Sequence, residues 1–146
     1  YANDWALLVL DRHPVRRGHF GVVDRSDALK VGSRVFLAGY SGDQSDGRFI
    51  SMHWGCTVYR LAPQIAEDNC RSWAGSSGTP MLFTDGDYRR FYVYGLHAYG
   101  RGERRNEDGT KRTHERGGGP RTSEFIDAYE GLRARLDVQQ TTAVKQ

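Results

Sequence analysis

Short aromatic and β-branched runs separated by glycine-rich turns most constrain what this chain can become. Residues 5–10, 34–39, 49–61, 81–84 and 91–99 each hold an apolar or aromatic run about one strand long. Between them lie tracts dense in Gly, Ser and Asp, as in 40–47 and 70–80. That spacing predicts an all-β protein. A mean hydropathy of −0.69 is polar for a folded chain, but 18 glycines and a 12% aromatic share argue against simple disorder. Asp85-Gly86-Asp87 marks a hairpin between two of the runs. Residues 19–23 are a weaker strand candidate, and 12–17, with Pro14, read as a loop. Beyond Gly100 the pattern changes. Residues 101–119 mix acids and bases without periodicity and are expected to form a flexible insertion. Phe125, Tyr129, Leu132 and Leu136 then recur at three and four, which predicts a helix from about Glu124, capped by Thr122 or Ser123. Glu124 and Asp127 sit early in it and Arg133 and Arg135 late, which suits the helix dipole. Residues 138–146 are polar and expected to fray.

Charge excludes some partners. The net charge is +3, and the excess lies largely in 101–116, where acids interleave with bases. A nucleic-acid surface shows a basic stripe with few acids, so no nucleic-acid partner is expected. No apolar run is long enough to span a bilayer, so no membrane partner is expected either. The first residue is Tyr1 and no leader-like segment is visible, which gives the look of a processed or truncated product. The two cysteines, Cys56 and Cys70, are too few for a disulfide scaffold and lack paired histidines at metal spacing, so no metal or cofactor is expected. They are either two buried thiols or one bridge. A bridge closing that loop would contribute roughly 3 kcal/mol by the chain-entropy argument. An even count in a chain that otherwise looks secreted favours the bridge and an extracytoplasmic location.

The sharpest chemical signal is Gly75-Ser76-Ser77-Gly78-Thr79-Pro80. A serine that attacks a carbonyl needs an exposed tight turn and amide hydrogens converging where the oxyanion develops. Gly75 leaves its N–H unobstructed, Ser77 brings its own, and Gly78 lets the chain turn behind the hydroxyl. An ordinary Ser/Gly loop has the same composition. Asp4, in Asn3-Asp4-Trp5-Ala6-Leu7-Leu8, places a carboxylate at the mouth of an apolar run. It reads as a triad acid or as a simple turn cap. A third segment, Val93 through His97 to Gly100, is an extended run bounded by glycine.

These three motifs, in the chain order Asp4, Ser77, His97, resemble the trypsin/chymotrypsin superfamily of serine proteases, and most of all its bacterial glutamyl-endopeptidase branch. The resemblance covers about residues 1–100, with the helix near 125–136 matching the family's C-terminal helix. It implies a trypsin-like Greek-key β-barrel with a C-terminal α-helix. Residues 1–30 would be a remnant of a first barrel and linker, 31–137 the second barrel with its helix, and 138–146 a frayed tail. It implies Ser77 as nucleophile, Asp4 as acid, and the Gly75 and Ser77 N–H groups as oxyanion hole. Ala98, Tyr99 and Gly100 would pair with the substrate backbone as an added strand. Arg71, Ser72 and His97 would line the specificity pocket, and one cation, one hydroxyl and one imidazole favour a carboxylate there. Cleavage after Glu, or less readily Asp, is the expectation. The competing reading makes His97 a satisfied half-buried histidine and points Arg71 to solvent.

Three departures stand against the pattern. The family's base precedes the acid, whereas His13, His19, His53, His97 and His114 all follow Asp4. The chain alone is therefore expected to be inactive, with the histidine supplied by a missing N-terminal barrel. Ser76 stands where many relatives carry an aspartate that pairs with a new N-terminus. The tract 101–119 falls where a last barrel strand is due, and 119–123 is a degenerate candidate for it. The expected function is a serine endopeptidase acting on a protein or peptide substrate. The alternative is a non-catalytic protease-like binding module.

Overall fold

The computed structural model describes residues 1–11, 19–22, 24, 28–84, 86, 88–105 and 112–143, with the backbone alone at 103–105, 112–114 and 137–143. The 12–17 loop, Val23, most of the Asp85-Gly86-Asp87 turn and the tip of 101–119 lie outside the described residues. The strands are β1 (Gly21–Val22), β2 (Arg34–Gly39), β3 (Ser51–Leu61), β4 (Ile65–Asp68), β5 (Pro80–Thr84), β6 (Phe91–Leu96), β7 (Tyr99–Arg105) and β8 (Arg112–Pro120). A short 3-10 turn, Thr122–Glu124, leads into α1 (Ile126–Ala143). The protein is all-β with a C-terminal helix, as the run-and-turn pattern requires.

The eight strands form one mixed sheet in the order β1-β6-β5-β2-β3-β4-β8-β7. Every pairing is antiparallel except β1 with β6. The ladders by themselves leave the sheet open, which is less than the Greek-key barrel that the resemblance implies. Its curl nevertheless brings β6 back to the end of β8, where Gly95 and Arg121 form a lone antiparallel bridge. A Cβ at Gly95 would stand 2.7 Å from the Pro120 carbonyl oxygen, so only glycine allows that approach.

The curl has local causes. On β3, Trp54 and Gly55 oppose the single residue Phe36 of β2, and Gly55 takes φ +77°. This is a glycine-dependent bulge, which bends and twists the strand carrying it. A second register shift lies between Met81 and Leu82 of β5, where they face β6.

Strand alternation sorts the core onto two faces. Val35, Leu37, Cys56, Val58, Met81 and Tyr94 meet on one face, and Phe36, Leu82 and Val93 on the other. Phe125, just before α1, and Trp5 close the second face, with ring centroids 5.9 Å apart. Burial on both faces explains why β2 reads as an unbroken apolar run. In α1, Tyr129, Leu132 and Leu136 are half-buried and the intervening described residues mostly exposed, as their spacing requires.

Four expectations need correction. Residues 5–10 form no strand, and Leu8 is 82% exposed. An apolar run becomes a strand only against a partner, and no described residue pairs with it. The tract 101–119 is no structureless insertion, because its described part is the β7–β8 hairpin, paired from Tyr99–Gly118 to Arg105–Arg112. Neither predicted hydroxyl caps the helix. Thr122 instead donates to the Val93 carbonyl at 2.9 Å, pinning the helix start to β6, and Ser123 Oγ is buried without a partner. The helix also continues past residue 137, to Ala143. Residues 1–30 contribute β1 to the common sheet and Trp5 to its second core.

Candidate functional site

Residues 73–79 make a tight turn between the disulfide and β5. Gly75 and Gly78 take φ of +97° and +82°, a region that residues with a Cβ avoid. The turn is fixed from within, where Ser76 N–H donates to Trp73 O at 3.0 Å and Thr79 N–H to Ser76 O at 3.1 Å. It is also fixed from both sides. Gly42 N–H donates to Ala74 O at 3.0 Å, Gly78 N–H to His97 O at 2.8 Å, and His97 N–H to Thr79 O at 2.9 Å.

This network leaves out three donors. Among the described residues, the Ala74, Gly75 and Ser77 N–H groups find no acceptor, although Ser76, Gly78 and Thr79 all do. Ser77 is exposed, and its hydroxyl makes no hydrogen bond to a described residue. Ser76 points the other way and is 2% exposed. One exposed turn therefore holds a hydroxyl and three amide donors that no described residue engages. Such an arrangement can bind an oxyanion or a carbonyl oxygen.

Of the three proposed pocket residues, two are buried and Arg71 is exposed. Ser72 is fully buried, and its Oγ has no hydrogen-bond partner among the described residues. His97 is 4% exposed, and its ring lies so close to Gly117 that a Cβ there would collide with it. Arg71 is exposed and lines a different groove, with Ser41, Asp43, Ser51 and His53. The half-buried reading of His97 is corrected, because the residue is inside. Asp4 is exposed rather than shielded. Its N–H donates to Tyr1 O at 3.1 Å, and this first turn rests on β7 through the Tyr1 and Tyr99 rings, 4.5 Å apart.

Ala98, Tyr99 and Gly100 begin the strand at the end of the sheet. Ala98 N–H donates to Gly118 O at 2.8 Å, and among the described residues β7 pairs only with β8, which leaves its outer edge unpaired there. Close packing on the inner side depends on Gly117, Gly118 and Gly119. A Cβ at Gly119 would collide with the Leu96 carbonyl and sit 2.9 Å from Ala98 N. These glycines went unrecognised in the sequence, although three in a row ahead of Pro120 was the available signal.

The polar interior behind the site was also missed. Glu67 accepts from Arg60 Nε at 2.9 Å and from the Tyr99 hydroxyl at 2.7 Å. Its bond to Arg60 holds its carboxyl below the usual range. Burial, then the Glu67 carboxylate, pushes the Tyr99 phenol up to about 12. Asp68 is fully buried, accepting from Tyr94 Oη at 2.9 Å and Cys70 N–H at 3.0 Å. Desolvation raises its carboxyl to about 6 against those two bonds.

Cys56 and Cys70 form the disulfide, with Cα atoms 5.0 Å apart. The bridge is consistent with an oxidising, extracytoplasmic setting. Among the described residues, no helix is long and apolar enough to cross a membrane. The ligand atoms of His53, Cys56 and Cys70 lie within 4.8 Å of one another. They do not form a ready metal centre, since both sulfurs are bonded to each other and His53 Nδ1 accepts the Arg71 N–H at 2.6 Å.

No family model matches the chain, and no curated protein matches it by sequence. The chemistry of the Ser77 turn therefore carries the functional argument.

Proposed function

We propose that the chain is the serine-bearing part of a serine endopeptidase of the trypsin-like superfamily. The single observation that carries the reading is an exposed Ser77 hydroxyl in a turn whose Gly75 and Ser77 amides find no acceptor among the described residues. In this reading Ser77 Oγ attacks the scissile carbonyl carbon while a histidine base takes its proton. The two amides hold the oxyanion, the C–N bond breaks as the amine leaves with the proton, and water then hydrolyses the acyl-enzyme. Asp4 orients the base, and the outer edge of β7 at Ala98–Gly100 takes the substrate backbone as an added strand. Ser72 and His97 meet an acidic side chain at the cleaved position. A buried Ser72 hydroxyl without a partner suits that role, since an unsatisfied hydroxyl costs about 1–3 kcal/mol until something bonds it.

The barrel belongs to the same proposal. Strands β6-β5-β2-β3-β4-β8 run consecutively, and the Gly95–Arg121 bridge joins the two ends of that series. The first barrel, carrying the base, is the partner that completes the site. The proposed setting is extracytoplasmic, with a protein or peptide substrate.

A second reading is favoured by a specific observation. No described histidine bonds Ser77, and the Asp4 carboxylate engages no described residue. A protease-like module that binds peptides without cutting them would look the same. A fluorophosphonate probe separates the two. The enzyme reading expects slow phosphonylation at Ser77 alone, accelerated by added imidazole as a surrogate base and abolished in Ser77→Ala. Labelling spread over other hydroxyls, or indifferent to imidazole, leaves only the binding module.

A further inference from the structure

A groove of about 350 Å³ lies beside the Ser77 turn, lined by Ser41, Asp43, Ser51, His53 and Arg71 among others. One wall, the loop after β2, is tied to the turn by the Gly42–Ala74 hydrogen bond. The opposite wall is Arg71 itself, whose backbone N–H is held by His53 Nδ1 at 2.6 Å. Because that nitrogen accepts, the neutral ring carries its proton on Nε2 and is a donor there. Burial, then the Arg71 charge, lowers the His53 pKa and keeps the ring neutral.

The charges in the groove are unequally engaged. Asp43 is occupied at both oxygens, by the Ser41 hydroxyl on Oδ1 and the Gln44 amide on Oδ2 at 3.3 Å. The Arg71 guanidinium is exposed and makes no hydrogen bond or ion pair with a described residue. A planar fork of N–H donors without a counter-ion, in a recess wide enough for a side chain, matches a carboxylate. Ser72, the next residue, is fully buried, so the two side chains leave the backbone on different sides.

We propose that this groove is a second recognition site, taking an acidic side chain of a bound peptide with the Arg71 guanidinium as its ionic anchor. The proposal rests on the peptide-binding part of the reading above, which the enzyme and the binding module share. The side chain it takes belongs to a different peptide residue from the one facing Ser72 and His97. The substrate class is thereby a peptide carrying two acidic residues, not one.

The test uses the full chain, labelled with 15N, and capped hexapeptides that carry Glu or Gln at one position moved stepwise along the sequence. One register should shift the amide signals of Gly42 and Arg71 and favour Glu over Gln by about ten-fold at low salt, falling as salt is added. Arg71→Gln should erase that preference while the remaining peptide-induced shifts persist. The side chain is exposed and the backbone bond to His53 is retained, so the variant should fold, as amide dispersion will report. Equal affinity for Glu and Gln in every register, an unchanged preference in Arg71→Gln, or no peptide-induced shift at Arg71 overturns the proposal. Failure of fluorophosphonate labelling at Ser77 with a persisting Glu preference overturns the enzyme reading and leaves this groove standing.

Discussion

Asp68 carries its carboxylate into the interior, where among the described residues it accepts from the Tyr94 hydroxyl and the Cys70 N–H and pairs with no cation. Desolvation lifts its pKa in the folded protein to about 6, above the 3.8 ordinary for an aspartate, so the folded protein prefers the protonated acid. The stabilisation is therefore fully present below pH 4 and lost as pH rises through 6. The gap corresponds to something of order 3 kcal/mol. Urea unfolding of the wild type and Asp68→Asn at pH 4 and pH 7.5 should show the larger decline in the wild type. The difference is expected at about 1–3 kcal/mol, and equal declines would mean that Asp68 is not buried as an acid. None of this is legible in Glu67-Asp68-Asn69, three polar residues in a row. A residue's neighbours in space, not in sequence, decide whether a carboxylate is desolvated.

At the scale of elements, the β7–β8 hairpin shows why the sequence misled. Arg101 pairs with Arg116, Glu103 with His114 and Arg105 with Arg112, so both strands are charged in the half toward the hairpin tip. A strand pair held by its backbone ladder has no hydrophobic period to read. The three glycines of β8 instead let it approach residues 96–98 backbone to backbone. Two glycine substitutions should thus act in opposite directions. Gly119→Ala forces a methyl against the Leu96 carbonyl and should cost about 1–3 kcal/mol or more. Gly131→Ala, in α1 with nothing within 4 Å of the new Cβ, should stabilise by about 0.5–1 kcal/mol. Chemical denaturation of the two variants checks both signs. The apolar run 5–10 is the converse case, having strand composition without a partner to pair with.

Across the whole molecule, the Cys56–Cys70 bridge joins β3 to the segment that leads into the Ser77 turn. Both sulfurs lie in the first core, against Val35, Val58 and Tyr94. Replacing both cysteines by serine removes the cross-link and buries two hydroxyls. The expected loss is at least about 3 kcal/mol, or roughly 10 °C in Tm for a chain of this size. Calorimetry of the oxidised wild type against the double variant measures it. An unchanged Tm would mean that the bridge constrains nothing the core does not already hold. The curl of the sheet likewise arises from the molecule as a whole. The bulge at Trp54-Gly55 and the glycine at 95 each act locally, but only together with the β4–β8 pairing do they bring Arg121 back to β6.

What the sequence by itself determined is local: strand-length apolar runs, glycines where the backbone must take positive φ, an amphipathic helix near 125–136, and a Ser/Gly turn able to aim amides outward. Each follows from sterics and burial within a few residues. Tertiary structure alone decided the rest. It buried Ser72 and His97, turned Arg71 into a separate groove, paired two charged strands, and left the Gly75 and Ser77 amides without acceptors. These outcomes depend on which distant backbone groups arrive beside a residue, and a linear pattern carries no record of that.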